Sequence, residues 1–247
     1  MAVVTGAGSG IGQEVAVEFA AAGARVVVGD VDEEGGRETV EQIESAGGEA
    51  TFVDADVTDM AAVESMVETA VDEYGRLDFG VNNAGIGGDQ KPTGEYTEEG
   101  WERVIDVNLN GVWRCTKAEL ERMAEQDGGG VVVNMASVLG LVGFGTASAY
   151  TAAKHGVVGL TKTAALEYAE QDVRVNAVCP GFVETPLLAD AGITSDEEMR
   201  EQIEGLHAMN RLGRPEEIAD AVLWVCSDGA SFVTGEEITV DGGYTSR

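Results

Sequence analysis

The sequence predicts an α/β fold with a doubly wound, wholly parallel sheet, and three observations carry that expectation. Short β-branched runs alternate with longer helical patterns from one end of the 247 residues to the other. The strand runs are almost continuously apolar, so helices must cover both faces of the sheet. A glycine-rich turn joins the first strand directly to the first helix.

Seven strands are expected: Ala2 to Thr5, Arg25 to Gly29, Ala50 to Val53, Phe79 to Val81, Val131 to Met135, Arg174 to Cys179 and Glu237 to Val240. Helix periodicity marks Ile11 to Ala22, Asp59 to Tyr74, Thr97 to Gln126, Ala149 to Glu170 and Pro215 to Cys226. Two places depart from the alternation. Gly128 to Gly130 is a flexible turn before a strand, and 185–211 is a long acidic insertion of weak periodicity, expected as a loop that works as a lid. No internal repeat or linker divides the chain, so one domain over 1–247 is expected.

Composition narrows the function classes. Asp and Glu number 45 against 15 Lys and Arg, a formal charge of -30, and lysine occurs only at 91, 117, 154 and 162. Such an excess repels phosphate backbones and anionic headgroups, so neither nucleic acid nor membrane is an expected partner. The acids are spread among periodic apolar residues rather than gathered in a tail, which points to a folded protein adapted to a saline cytosol. Cys115, Cys179 and Cys226 are odd in number, widely spaced and set in apolar runs, as buried thiols of a reducing compartment would be. No apolar stretch reaches the ~20 residues of a membrane span and no leader pattern opens the chain, so a cytoplasmic location is expected. His155 and His207 are the only histidines, and no paired spacing offers a zinc site.

The turn Thr5-Gly6-Ala7-Gly8-Ser9-Gly10-Ile11-Gly12 has the form T-G-x-x-x-G-x-G. Glycines there let the backbone turn tightly and approach a pyrophosphate at the helix N-terminus, where free N–H groups and the helix dipole favour negative charge. Asp30 ends the second strand about 20 residues further on, where a carboxylate accepts from ribose hydroxyls and repels a 2′-phosphate. NAD is therefore expected over NADP. A solvated acid in an acid-rich chain is the plainer alternative for Asp30.

Tyr150 and Lys154 stand four residues apart near the start of a helix and so share a face. An ammonium beside a phenol, whose ordinary pKa is near 10, stabilises the phenolate and makes the pair a tunable acid and base. The same spacing also arises from a surface tyrosine beside a long lysine. Here, however, Lys154 lies in the run Ser148-Ala149-Tyr150-Thr151-Ala152-Ala153, without the acids that would pair with it on a solvated face. Ser137 follows the fifth strand, at the sheet end where α/β ligands bind.

Taken together, Thr5 to Gly12, Asn82-Asn83-Ala84-Gly85, Asn108, Ser137, Tyr150 with Lys154, Pro180-Gly181 and Asp241-Gly242-Gly243 resemble the short-chain dehydrogenase/reductases, in order and over nearly the whole chain. The resemblance implies a Rossmann-type domain that moves hydride between a nicotinamide cofactor and an alcohol or carbonyl substrate. It implies Tyr150 as acid/base, Ser137 orienting the substrate oxygen, Lys154 on the nicotinamide ribose and Asn108 holding a relay water. By the same resemblance Gly6, Ser9, Gly10, Ile11 and Gly12 hold the pyrophosphate, Asp56 and Val57 meet the adenine, and Asn83 and Gly85 line the cleft. Pro180, Gly181, Val183 and Thr185 belong to the nicotinamide end, and the assembly implied is a homotetramer.

Two other functions compete. A 3-oxoacyl thioester reductase resembles the same pattern, but Gly128 to Gly130 and Glu170-Gln171 stand where basic docking residues would be expected. A non-catalytic nucleotide sensor would have been favoured by loss of Tyr150, Lys154 or Ser137, and all are present. Apolar residues after Ser137, among them Val138, Leu139 and Phe144, with Leu187, Leu188, Leu206 and Met209 of the lid, suggest a partly apolar pocket. The helix after Tyr150 reads as apolar on most sides, so its outer face, with Ala164 and Ala165, is expected to meet another subunit.

Overall fold

The computed structural model describes residues 1–194 and 196–246; residue 195 of the expected lid and residue 247 lie outside the described residues. Among them are seven strands in one all-parallel sheet of order β3-β2-β1-β4-β5-β6-β7. The strands are β1 (Ala2–Thr5), β2 (Arg25–Asp30), β3 (Glu49–Asp54), β4 (Phe79–Asn82), β5 (Gly130–Met135), β6 (Val173–Pro180) and β7 (Glu237–Val240).

Successive residues of the strands go to opposite faces. Ala2, Val4, Val26 and Val28 enter one core with α1 (Gly10–Ala21), α2 (Glu33–Ser45) and α9 (Pro215–Cys226). Met1, Val3 and Val27 enter the other with α3 (Met60–Tyr74), α5 (Val112–Glu125) and α6 (Ser148–Tyr168). This is the doubly wound Rossmann architecture that continuous apolar strands require. The chain runs outward from β1 through β2 and β3, then returns to place β4 on the other side of β1. The crevice at the carboxyl ends of β1 and β4 is thus the topological switch point, where such sheets bind ligands.

One element is added and two expectations change. The stretch after β2 forms α2, although Gly35 and Gly36 weaken it as a helix. Both glycines are required by packing: a methyl at Gly35 would lie 2.7 Å from the Gly8 carbonyl oxygen, and one at Gly36 would enter the Phe52 ring. Thr39 of α2 then donates to the Ala7 carbonyl at 2.8 Å, so this helix braces the glycine turn. The expected helix from Thr97 to Gln126 is α4 (Glu98–Ile105) and α5 joined by a π-helical segment, Asp106–Gly111. The expected loop 185–211 holds α7 (Pro186–Asp190), capped by Thr185, and α8 (Glu197–Glu204), capped by Asp196.

α6 is less uniformly apolar on its surface than expected. Ala164 and Ala165 are 3% and 2% exposed and belong to the inner core, so they cannot line an interface. The outward positions are Ala152, His155, Gly159, Lys162, Thr163, Leu166 and Glu167. Cys115, Cys179 and Cys226 are buried and free. No helix is long and apolar enough to cross a membrane among the described residues.

Candidate active site

At the switch point a single cleft of about 570 Å³ runs from the glycine turn to α7. At the turn, Gly6 and Gly10 take φ values of +62° and +57°, which a side chain would strain. Ser9 stands at the N-cap of α1 with no side-chain cap, and no acid occupies the first helical turn. The first amides of α1 therefore face the cleft with the positive end of the helix dipole, a fit for a pyrophosphate. Gly12 does not line the cleft: it lies underneath, where any side chain would overlap the Gly6 carbonyl and the Asn83 amide.

Asp30 lines the cleft and already orders the turn, its Oδ2 accepting from the Gly8 amide at 2.7 Å and its Oδ1 from the Asp32 amide at 3.0 Å. A carboxylate has lone pairs for about two further donors, so ribose hydroxyls still find acceptors there. Asp56 and Val57 line the same end. Asn83 works as a clamp, its Nδ2 donating to the carbonyls of Thr5 at 3.1 Å and Gly6 at 3.0 Å, while its backbone N–H donates to Thr5 Oγ1 at 3.0 Å.

Ser137, Tyr150 and Lys154 reach the cleft together, and Pro180, Gly181, Val183 and Thr185 also line it, Thr185 beside Gly10 of the turn. Ser137 follows β5 and caps a short helical turn by accepting from the Leu139 amide at 3.1 Å. Burial pushes the Tyr150 phenol above its ordinary value, and a hydrogen bond from the Ser137 hydroxyl pulls it back. Lys154 is 3% exposed and donates to the Met135 carbonyl at 2.7 Å, with its Nζ 5.6 Å from the centre of the Tyr150 ring. Burial without a carboxylate partner lowers its pKa to about 8. Met135 takes one hydrogen of Nζ and leaves two for the cleft, and the Ser137 hydroxyl also opposes the cost of burying a phenolate. Lys91, Lys117 and Lys162, by contrast, pair with Asp89, Glu121 and Glu237.

The Asn108 side chain is not in the cleft. It is fully buried, with Oδ1 accepting from the Ile86 amide and Nδ2 donating to the Ile86 carbonyl, both at 2.8 Å. It fixes the segment after Asn83, which contributes Gly85, Ile86, Gly87 and Gln90 to the cleft. Of these the sequence pattern pointed only to Gly85, because the rest sit in a loop without periodicity. Gln90 Nε2 donates to the Ala191 carbonyl at 2.9 Å and so ties that loop to the region after α7.

A family model described as Enoyl-(Acyl carrier protein) reductase matches residues 6–245. The cyclohexanol dehydrogenase of Acinetobacter sp. (strain SE19) is 46% identical over 247 residues, covering 100% of this chain and 95% of that protein. The chain belongs to the short-chain dehydrogenase/reductase family. Among its fellow members, the cis-4-hydroxycyclohexanecarboxylate dehydrogenase of Sinomonas cyclohexanicum is 45% identical, covering 100% of this chain and 96% of its own. The crystal structure of levodione reductase superposes with a TM-score of 0.96 at 39% identity, covering 99% of this chain and 97% of that one. This short-chain dehydrogenase/reductase is accordingly an oxidoreductase that uses a nicotinamide cofactor and acts on alcohols or the corresponding carbonyls.

Proposed function

We propose that the enzyme interconverts an uncharged secondary alcohol on a ring and its ketone, with NAD(H) as the hydride carrier. The observation that carries this is the setting of Ser137 and Tyr150. Their end of the cleft is walled by Val138, Leu139, Phe144, Phe182, Leu187 and Ile193, and the charged side chains lining the whole cleft, among the described residues, are Asp30, Asp56 and Lys154. The two aspartates stand at the glycine-turn end, and the one cation lining the cleft among the described residues, Lys154, is held by Met135 and assigned to the cofactor ribose, so no further cation would balance a substrate carboxylate and an apolar ring fits better. The names of relatives that act on cyclohexanol and on a hydroxycyclohexane acid support a ring alcohol.

When bound, the nicotinamide accepts the hydride that leaves the alcohol carbon. With substrate present Ser137 would turn its hydrogen from Tyr150 to the substrate oxygen, and Tyr150, with the Lys154 ammonium countering the burial that raises its pKa, would take the hydroxyl proton as phenolate. One hydrogen of Lys154 Nζ is held by Met135, which leaves two for a ribose hydroxyl and for the return of the proton toward solvent. A π-helical segment leaves a carbonyl without its usual helical partner. Asn108, within such a segment and with its side chain used on Ile86, would offer a relay water its main-chain oxygen. Asp30 at the ribose end favours NAD over NADP by charge.

The assembly we infer is a homotetramer in a salt-rich cytoplasm. Trp101 of α4, Trp113 of α5 and Leu166 of α6 are exposed on neighbouring helices that suit one two-fold interface. A second would form near Gly242-Gly243-Tyr244. The deciding experiment follows reduced cofactor by absorbance at high salt, with NAD or NADP and a panel of cyclohexanol, a hydroxysteroid, 4-hydroxycyclohexanecarboxylate and a 3-oxoacyl thioester. Highest kcat/KM for a neutral ring alcohol with NAD is expected. Preference for NADPH and the thioester would overturn the proposal.

A further inference from the structure

On the sheet face covered by α5 and α6 lies a buried polar cluster that the proposed chemistry does not use. Asn82 ends β4, Asn134 precedes Met135 on β5, α5 supplies Thr116 and Glu119, and α6 supplies Thr161. None of these five side chains belongs to a residue more than 2% exposed. Asn82 Nδ2 lies 2.8 Å from Glu119 Oε2, 3.0 Å from Asn134 Oδ1 and 3.2 Å from Thr116 Oγ1. Thr116 donates to Asn134 Oδ1, and Asn134 Nδ2 donates to Thr161 Oγ1, each at 3.0 Å.

Donors are short in this cluster. The Asn82 amide has two hydrogens for three acceptors. Glu119 Oε1 and Asn82 Oδ1 are both buried with no partner. No cation pairs with Glu119 among the described residues. The titratable group that interacts with it is the Cys115 thiol of its own helix, pushed by burial well above the ordinary range and therefore uncharged. An ionised Glu119 would thus be a buried charge with one hydrogen bond, whereas a protonated one adds the missing donor. Burial pushes this carboxyl up to about 8. The sheet is also shaped around it: any side chain at Gly80 would overlap the Glu119 carboxyl.

We infer that Glu119 is a positioning residue held as the neutral acid, which through Asn82 fixes the end of β4 and with it the Asn83 clamp on the glycine turn. Asn82 and Asn83 are consecutive, and Asn83 holds the carbonyls of Thr5 and Gly6. A shift of the Asn82 amide is therefore passed directly to the backbone that shapes the turn. The positioning role rests on the glycine turn as the dinucleotide site, whereas the protonation state does not.

The sign of the pH effect follows from the raised value. Between the ordinary carboxylate pKa near 4.3 and about 8, the folded protein keeps a proton that the unfolded chain has lost, so stability falls as pH rises through that window. Glu119→Gln keeps the shape, supplies N–H donors and removes the titration. Denaturant melts of the parent, Glu119→Gln and Glu119→Ala from pH 5.5 to 9 at constant high salt and protein concentration test this, with NADH fluorescence titrations at pH 7. The folding constant of the parent relative to Glu119→Gln should fall by about tenfold per pH unit up to about 8. The NADH Kd should stay within about twofold in Glu119→Gln and rise about fivefold or more in Glu119→Ala. Equal pH slopes for parent and Glu119→Gln would overturn the neutral acid, and this comparison holds even if Glu119→Ala does not fold. A Kd unchanged in Glu119→Ala, or weakened equally in Glu119→Gln, would overturn the positioning role. Failure of the parent itself to bind NADH would reject the dinucleotide reading, and the difference in slopes would still decide the protonation state.

Discussion

Replacing Gly12 by alanine sets two effects of opposite sign against each other. In a helix interior alanine is better than glycine by about 1 kcal/mol, so propensity alone predicts a more stable protein. At this position, however, the methyl would sit well inside the 3.4 Å of ordinary contact with both the Gly6 carbonyl oxygen and the Asn83 Nδ2. Neither neighbour can swing away freely, because one is backbone and the other is the amide that holds Thr5 and Gly6 at 3.1 and 3.0 Å. Overpacking of this kind costs about 1–3 kcal/mol, and loosening the two Asn83 hydrogen bonds costs about 1 kcal/mol each. The losses exceed the gain, and a net destabilisation of about 2–4 kcal/mol is expected. Because the atoms that move form the turn proposed to hold the pyrophosphate, the NADH Kd should rise by about tenfold or more, since 1.4 kcal/mol is a factor of ten. Urea melts and NADH fluorescence titration, both at high salt, measure the two effects. A variant as stable as the parent with the same NADH affinity would refute the claim that helix and turn are in obligatory contact here.

Tyr150→Phe should lower kcat by about 10²–10⁴ while the NADH Kd changes little, because it removes the proton acceptor and leaves the turn intact; activity within a few-fold of the parent would remove Tyr150 from the chemistry. Asp30→Ala should narrow the ratio of kcat/KM for NAD over NADP and also weaken NAD binding, since the carboxylate orders the Gly8 and Asp32 amides. Lys154→Met should be more stable than the parent at pH 7 and lose that advantage toward pH 10. A buried lysine whose pKa falls to about 8 binds fewer protons folded than unfolded, so its cost, on the order of 3 kcal/mol, fades as pH climbs from about 8 to about 10.5; a pH-independent difference in denaturant melts would contradict its burial as a cation. Light scattering in molar salt should give a tetramer mass, and dialysis to millimolar salt should unfold or dissociate it; a stable, active monomer at low salt would dismiss both inferences.

The elements most legible in the sequence are those fixed by local pattern. β1 begins and ends where its β-branched run does, because a strand buried on both faces admits little else. α2 was not among the helices expected from the sequence, and Gly35-Gly36 give it poor helix propensity that the packing of Gly8 and Phe52 against them accounts for. The π-helical segment has no sequence period of its own. It is set by tertiary contacts, with Asn108 bonded to Ile86 and Gly111 packed against Val57. α7 and α8 did carry signals, Thr185-Pro186 and Asp196 followed by Glu197 and Glu198, which the weak apolar periodicity of the lid outweighed. Lys154 stood out as a lysine among small residues in a chain with few lysines, Tyr150 by its spacing from it, and Ser137 by its place after β5. Glu119 did not, being one of 45 acids, although its place at helical spacing between Cys115 and Met123, both buried, was a sign of burial.

A surface this acidic and a site that depends on one ammonium make conflicting demands. An exposed lysine in this chain is drawn to the nearest carboxylate, as Lys91, Lys117 and Lys162 are, and would be neutralised as a catalytic group. Lys154 escapes that fate because it is 3% exposed and held by a neutral carbonyl instead of an acid. The same burial lowers its pKa to about 8, so the ammonium is retained at neutral pH with little to spare. Each surface acid adds a small stabilisation of the cation, and salt screens it within about 3 Å at 1 M. Removing salt should therefore act on the site and on the fold in opposite directions, holding Lys154 charged to higher pH while the carboxylates outside repel one another.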